Sequence, residues 1–366
     1  DPGSAVNRCG RISGASGHNM EANNQMHSLE REAMRRIIAL AGAAALLLTA
    51  CGTSAAERAA QSASNSAAAS GGGNYPVDIV SCGQTLHFDA PPSRVLVLGD
   101  TSVSNMDALG LMDKINLRAG NAHFGSAAPE LQAKHDAIES VEAGKTDTGG
   151  VKIATETILN SHVDLVIGYD KGVEREQVAK AGVQLYSPEA YCPKYSVEKA
   201  SWELIDNEIN NLAKIFGVED KANAVIAEIH AKTAKLKADA PSGRGTGAAL
   251  YITAGSTRFS AYGSSSMSQP ILDANGLTNV YGDNTTRVFD GSMEDLLARN
   301  PDWIVLLSSG ASDEETIQTF KSFSGAEQLK AVINDHLVVI PFVLTDPPNV
   351  LSVEGAATLA KKTANK

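Results

Sequence analysis

Two stretches of this chain repeat one another, and the repeat limits the possible fold more than any other feature. Residues 156–167, ETILNSHVDLVI, align without a gap on residues 294–305, EDLLARNPDWIV. A shorter pair precedes them, DALGL at 107–111 and DANGL at 273–277. The distance between copies is far longer than the period of roughly 20–50 residues typical of a solenoid. We therefore expect two similar lobes.

Short runs rich in β-branched residues alternate with helical stretches in both halves. The clearest predicted strands are residues 94–98, 164–167 and 183–186 in the first half, and 249–252, 302–307 and 337–340 in the second. These runs are almost continuously apolar, which is typical of parallel strands buried on both faces. The sequence therefore predicts an α/β protein with two Rossmann-like lobes, each with a central parallel sheet.

Two helices are predicted between the halves. The first, within residues 196–216, carries an apolar stripe with a spacing of three or four: Trp202, Ile205, Ile209, Leu212 and Phe216. Gly217 is expected to end it. The second runs from about Glu219 to Lys237, with acids in its first turn and lysines near its end, which matches the helix dipole. At about 1.5 Å per residue it would be roughly 28 Å long, enough to join two lobes.

The N-terminal part has the pattern of an export signal. Residues 34–51 read MRRIIALAGAAALLLTAC, with two arginines, twelve apolar or small residues and then small residues before a cysteine. A membrane-spanning helix needs about 20 apolar residues, so this run is too short to be one. The alternative is a buried helix with an ordinary cysteine. The closing LTAC resembles the lipobox of bacterial lipoproteins, which implies that Cys51 is lipid-modified after cleavage.

These patterns divide the chain into six segments. We expect an upstream extension that is not native (1–33), a lipoprotein signal peptide (34–50), a lipid-anchored flexible linker (51–74), an N-terminal α/β lobe (75–217), an inter-lobe helix (218–240) and a C-terminal α/β lobe (241–366). The linker assignment rests on a composition of Ala, Ser and Gly that cannot form a core.

Charge and cysteine content narrow the functional classes. The net charge is −11 and no basic stripe is present, which argues against nucleic-acid binding. The negative net charge also argues against adsorption to anionic lipid, so the protein would be held at the membrane by its lipid anchor only. Outside the cell a pair of cysteines is usually bridged, so we expect a Cys82–Cys192 disulfide. The alternative is two separate buried thiols.

Several segments carry a resemblance to a known family. They are PPSRVLVL at 91–98 followed by DALGL, IFGVEDKA at 215–222, NPDWIVLL at 300–307, and SCG at 81–83 together with Cys192. In this order they resemble the solute-binding proteins of the iron–siderophore, cobalamin and haem class (class III), which serve ABC importers. The resemblance spans about residues 76–362. The cysteine pattern is similar to that of an actinobacterial branch associated with ferric siderophores.

The resemblance implies a monomeric lipoprotein on the extracytoplasmic face of the cell membrane. It would capture a small-molecule metal chelate, with a ferric siderophore favoured, and deliver it to an ABC permease with its ATPase. The alternatives are a haem- or cobalamin-binding protein of the same fold, a chelatase-like extracytoplasmic enzyme, and an anchored sensor or adhesin. The class is not enzymatic, and no resident cofactor is expected.

The resemblance also implies a docking role for Glu156 and Glu294, which occupy equivalent places in the repeat. In the family, one exposed carboxylate on each lobe docks into an arginine pocket of the permease, and charge-assisted bonds to arginine are strong and directional. The alternative is that acids simply favour the first turn of a helix through its dipole.

Ligands of open α/β sheets bind beyond the carboxyl ends of the strands. The loops expected there offer seven candidate ligand-binding residues: Thr101, His123, Phe124, Tyr169, Arg258, Tyr262 and Arg287. Arginine pairs with carboxylate or phenolate oxygens, and aromatic rings pack on apolar faces. His123 or Tyr262 could also be an axial haem ligand. The histidines and cysteines lack metal-ligand spacing, and no GxSxG motif occurs, so we predict neither a metal site nor catalytic residues.

Overall fold

The computed structural model describes residues 74–146, 150–169 and 172–364. The predicted signal peptide, most of the linker and Cys51 lie outside these residues. Within them, no helix combines the length and the apolar character needed to cross a membrane.

The first half of the described chain contains thirteen helices and strands. In chain order they are β1 (Val77–Ser81), β2 (Gln84–Phe88), β3 (Val95–Leu98), α1 (Val103–Ala108), β4 (Ile115–Ala119), α2 (Pro129–Asp136), β5 (Glu139–Val141), β6 (Gly144–Lys145), β7 (Val151–Lys152), α3 (Thr155–Asn160), β8 (Leu165–Ile167), α4 (Arg175–Lys180) and β9 (Gln184–Tyr186).

Two helices follow, and then the second half. The helices are α5 (Glu203–Phe216) and α6 (Glu219–Asp239). The second half contains β10 (Thr246–Ile252), β11 (Phe259–Tyr262), α7 (Ser268–Asp273), β12 (Thr278–Asn279), β13 (Val288–Asp290), α8 (Met293–Arg299), β14 (Trp303–Ser308), α9 (Asp313–Lys321), α10 (Lys330–Ile333), β15 (Leu337–Pro341) and α11 (Ser352–Thr363).

Each half is a lobe with its own sheet. The first sheet has the strand order β5-β4-β3-β8-β9, and all of its strands are parallel. In the second sheet, β13-β11-β10-β14-β15, the neighbours β10, β14 and β15 are parallel, whereas β11 and β13 add an antiparallel edge. The predicted fold class is confirmed, but the antiparallel edge and the β1–β2 hairpin were not predicted.

The central strands are buried on both faces, as their apolar sequences predict. In the first lobe, Val95 and Val97 belong to one core cluster and Leu96 and Leu98 to another, on the opposite face of β3. The first of these clusters extends into the second lobe, where it includes Val305 of β14. The two lobes therefore share one apolar core cluster.

The sequence repeat is also a repeat of backbone conformation. His162 follows α3 with φ 51°, and Asn300 follows α8 with φ 42°. Gly110 and Gly276, in the shorter repeat, both have φ 68°. Left-handed backbone conformations of this kind end a helix and turn the chain toward the next strand. The two lobes therefore use the same helix–turn–strand unit.

One aspartate in each lobe occupies the same place in this unit and makes similar hydrogen bonds. Asp164 Oδ2 accepts from the Ser93 N–H at 2.7 Å and from the Ser93 hydroxyl at 2.6 Å. Asp302 Oδ2 accepts from the Thr246 N–H and the Thr246 hydroxyl, both at 2.9 Å. Each carboxylate therefore joins the start of the repeated strand to the start of the strand that comes first in chain order in the same sheet, β3 or β10.

The connection between the lobes differs in detail from the prediction. Gly217, with φ 65°, separates α5 from α6, as expected. The helix predicted within 196–216 begins only at Glu203, because the preceding segment is bonded to the second lobe instead. The Ala200 N–H donates to the Ser264 carbonyl at 2.7 Å, and the Val197 N–H donates to Ser265 Oγ at 2.9 Å. The lobes are thus joined by this segment as well as by α6.

Candidate ligand-binding cleft

The loops after the parallel strands of the two lobes meet and line one small cavity. The first lobe contributes Asp100, Thr101, Ser102, Ser104, Phe124 and Pro188, and the second contributes Phe342, Val343, Asp346, Pro347, Pro348 and Asn349. The cavity has about 20 Å³ of free volume. This is room for one water molecule, so a larger ligand would fit only if the walls separated.

On the first lobe, Asp100 fixes the orientation of His123. Asp100 Oδ2 accepts a hydrogen bond from the His123 N–H at 3.1 Å and lies 3.2 Å from His123 Nδ1. The hydrogen bond to Asp100 raises the pKa of His123, although partial burial acts in the opposite direction. A protonated His123 would thus be a cationic donor beside the cavity.

Tyr191 connects the predicted residues of the first lobe with those of the second. Its ring lies 5.3 Å from the ring of Tyr169, centroid to centroid, and its side chain is hydrogen-bonded to Thr101. Across the cleft, the Arg287 guanidinium lies 5.3 Å above the Tyr191 ring, within cation–π range. Burial raises the pKa of Tyr191, so its hydroxyl stays protonated and can donate a hydrogen bond.

Arg287 is already paired with an acid that the sequence did not single out. Its guanidinium forms an ion pair with Asp346, whose side chain is 1% exposed against 16% for Arg287. Burial acts to lower the pKa of Arg287, but Asp346 and two nearby tyrosines raise it. Asp346 Oδ1 also accepts the Met267 N–H at 3.0 Å. The positive charge of Arg287 is therefore largely neutralised before any ligand arrives.

Tyr262 lies at the end of β11 and is 4% exposed. Its ring is 6.4 Å from the ring of Phe342, which in turn lies 5.2 Å from the ring of Tyr251. Burial raises the pKa of Tyr262 well above its usual value, which disfavours the phenolate form that an axial metal ligand would need. Tyr262 therefore contributes an aromatic surface to the second lobe.

Arg258 stands apart from this group. It lies in the exposed loop between β10 and β11, where its backbone N–H and carbonyl are both hydrogen-bonded to Ser256. Its guanidinium pairs with no acid in the described part of the chain, and it does not line the cavity. Of the seven predicted residues, Thr101 and Phe124 line the cavity, and Tyr169, Tyr262, Arg287 and His123 lie in the contacts around it.

Glu156 and Glu294 occupy matching positions on the two lobes. Each is the second residue of a helix that precedes a central strand, and each is exposed. Neither carboxylate forms an ion pair with another described residue. The docking hypothesis and the helix-dipole alternative both predict this placement, so the docking role stays a prediction.

Cys82 and Cys192 form a disulfide in the structure. The bond ties the turn between β1 and β2 to the chain that follows β9. Within the described ranges, no cluster of three or more His, Cys, Asp or Glu side chains could hold a metal ion.

Three acidic residues of the cleft region were not predicted from the sequence. Asp100 and Asp346 follow β3 and β15, so the rule that ligands bind beyond the carboxyl ends of strands could have found them. Glu208 is 3% exposed on α5 and lies between Ile205 and Ile209 of the apolar stripe. A charged residue within an apolar stripe was the available signal.

These features define a two-lobed α/β binding protein whose cleft lies at the carboxyl ends of both sheets. Residues 95–344 match the family model described as periplasmic binding protein, and the chain belongs to this family. No curated protein matches the sequence.

Solved structures of similar proteins agree with this assignment. The ABC-type Fe3+-hydroxamate transport system from Saccharomonospora viridis is 32% identical, with a TM-score of 0.73 over 79% of this chain and 99% of that one. A periplasmic binding protein from Veillonella parvula is 20% identical, with a TM-score of 0.64 over 79% of this chain and 98% of that one. The periplasmic heme-binding protein HutB of Vibrio cholerae is 16% identical, with a TM-score of 0.56 over 74% and 98%. At these low identities, the Veillonella parvula and Vibrio cholerae structures show a shared fold alone.

Proposed function

We propose that this protein is the solute-binding component of an ABC importer and that its ligand is a ferric siderophore. It would be held at the extracytoplasmic face of the cell membrane by lipid on Cys51, as a monomer, and would pass its ligand unchanged to a permease with its ATPase. The family assignment and the 32% identity to an Fe3+-hydroxamate transport protein support this proposal.

The observation that carries the proposal is the mixed set of side chains in and around the cleft. Tyr169, Tyr191, Tyr262 and Phe342 supply aromatic surface from both lobes, and His123 and Arg287 supply hydrogen-bond donors. A ferric siderophore combines an apolar organic framework with an oxygen-rich metal centre. Aromatic rings suit the framework, and hydrogen-bond donors suit the oxygens.

The alternatives receive less support. For haem, burial raises the pKa of Tyr262 and disfavours the phenolate form of an axial ligand. Asp100 holds His123 Nδ1 and leaves Nε2 as the nitrogen that could bind a metal, so haem is the second candidate. It ranks below the siderophore because of the 32% identity to an Fe3+-hydroxamate transport protein. An enzyme would need a nucleophile activated by a base. The Ser102 hydroxyl, which is in the same cleft as the Asp100–His123 pair, has no hydrogen-bond partner among the described residues, so His123 does not activate it.

Delivery to a permease is tested by removing both docking carboxylates. The double variant Glu156→Ala/Glu294→Ala is expected to abolish uptake of the iron chelate by cells while its affinity for the chelate is unchanged. The matched control is Glu176→Ala/Glu314→Ala, because Glu176 and Glu314 are also exposed second residues of helices, one in each lobe. Normal uptake with the first double variant, or equal loss with both, would contradict the docking role.

A further inference from the structure

The first-lobe wall of the cleft depends on a short turn after β9. We call residues 187–192 the Tyr191 turn. Pro188 of this turn lines the cavity, and the ring of Tyr191 contacts both Tyr169 and the Arg287 guanidinium of the other lobe. A displacement of this turn would therefore change the shape of the cleft at its centre.

Both ends of the Tyr191 turn are fixed to neighbouring elements. The Ser187 N–H donates to Ser81 Oγ at 2.9 Å, and Ser81 Oγ donates to the Ser187 carbonyl at 2.9 Å. Arg175 donates to Ser187 Oγ at 2.6 Å. At the other end, Cys192 is joined covalently to Cys82. The middle of the turn, Glu189–Tyr191, has one further support, from α5.

That support comes from Glu208, a buried carboxylate on α5. Its Oε1 accepts the Glu189 N–H at 3.0 Å, and its Oε2 accepts the Tyr186 hydroxyl at 2.6 Å. Burial raises the pKa of Glu208 to about 7, although these two hydrogen bonds partly oppose the shift. The titratable groups that face it are Tyr186 on β9, Glu189 on the turn and Tyr195 in the segment that follows.

We propose that Glu208 is a positioning residue for ligand binding, which holds the Tyr191 turn from behind without touching the ligand. This inference rests on the proposed function of ligand capture. An ionised carboxylate accepts both hydrogen bonds, whereas a protonated one carries a hydrogen of its own that competes with the Tyr186 hydroxyl. Hydrogen bonds to an ionised carboxylate are stronger than those to a neutral acid, so protonation weakens the bond from the Glu189 N–H and with it the contact between α5 and the turn.

The test compares Glu208→Gln with Glu189→Gln across a range of pH. Glutamine resembles the protonated acid in shape and charge, and Glu189 is an exposed glutamate on the same turn. The probe is ferrioxamine B, a ferric trihydroxamate, and the readout is its dissociation constant by calorimetry. We expect the wild-type protein and Glu189→Gln to bind at least about three-fold more tightly above the ionisation of Glu208 than below it. Glu208→Gln should bind as the wild type does at low pH. His123 titrates in all three proteins, so a pH dependence that Glu189→Gln keeps and Glu208→Gln loses belongs to Glu208. Its midpoint should be lower in Glu189→Gln, because the charge of Glu189 raises the pKa of Glu208.

A second variant keeps the inference testable if Glu208→Gln does not fold. In Tyr186→Phe the hydroxyl that stabilises the ionised carboxylate is gone, so the midpoint of the pH dependence should move upward. In ligand-free protein, the ¹³C resonance of the Glu208 carboxyl and the amide resonance of Glu189 should titrate together, with a midpoint that also moves up in Tyr186→Phe.

The possible outcomes separate the two proposals. Identical pH profiles for Glu208→Gln and Glu189→Gln, or a Glu189 amide that does not follow the Glu208 carboxyl, would overturn the positioning role. Failure of the wild-type protein to bind ferrioxamine B or any other iron chelate would contradict the proposed function. The ligand-free titration would then still decide whether Glu208 holds the turn.

Discussion

The buried Arg287–Asp346 pair gives the sharpest quantitative prediction for the cleft. Asp346→Ala would leave the Arg287 guanidinium without its counter-ion in a site where it is 16% exposed, and it would remove the acceptor of the Met267 N–H. Removal of one partner from a buried ion pair typically costs about 3–5 kcal/mol. We expect a loss of this size in the free energy of unfolding. Asp346→Asn should cost less, because its amide oxygen can still accept from Met267.

The assay is urea denaturation of Asp346→Ala, Arg287→Ala and the double variant. Since removal of both charges leaves no buried ion unpaired, the double variant should be more stable than the sum of the single losses predicts. The coupling energy should be about 1–3 kcal/mol. A loss below about 1 kcal/mol for Asp346→Ala, or strictly additive losses, would refute the view that Asp346 neutralises a buried Arg287.

Three further predictions concern the stability of the fold. The pKa of Glu208 is raised from 4.5 to about 7 in the folded state, so the folded protein binds more protons than the unfolded chain between these values. The free energy of unfolding should therefore fall by roughly 3 kcal/mol as pH rises through this window and level off above it. Glu208→Gln should remove this pH dependence. An unchanged pH dependence in Glu208→Gln would contradict the assignment of the slope to Glu208. Reduction of the disulfide, which spans 110 residues, should lower the free energy of unfolding by about 4–5 kcal/mol. Denaturation curves measured with and without reductant test this, and equal midpoints would contradict it. In Gly355→Ala the new methyl group would lie 1.9 Å from the Leu344 carbonyl oxygen, so we expect the free energy of unfolding to fall by at least about 2 kcal/mol. The control is Gly144→Ala, whose methyl group would lie 3.6 Å from its nearest neighbour and which should lower stability far less.

The two lobes could be predicted because their strands can be recognised from short, local sequence patterns. Runs such as residues 95–98 and 303–308 are apolar at nearly every position, which identifies parallel strands buried on both faces. The repeat was visible because each copy needs the same acids, turn residues and apolar positions to build the same unit. The β11 and β13 strands were missed because their residues are mixed in polarity and they pair only at the edge of the sheet.

The cleft was harder to predict because its partners are distant in the sequence. Arg287 and Asp346 are separated by 59 residues, and Glu208 and the Glu189 N–H by 19. The sequence predicted that Arg287 would pair with oxygens of the ligand, whereas the fold pairs it with Asp346. Tyr262 looked like a possible metal ligand, but only the tertiary structure shows that burial raises the pKa of its hydroxyl well above the usual value.

The central claim is that the cleft binds an iron chelate and leaves it chemically intact. The most direct measurement is a calorimetric titration of the protein from Tyr75 onward with a ferric hydroxamate, a ferric catecholate, haem and cobalamin, followed by mass spectrometry of the released ligand. We predict micromolar or tighter binding of a ferric siderophore, recovered unchanged. Binding of none of the four, or release of a chemically altered ligand, would contradict the claim.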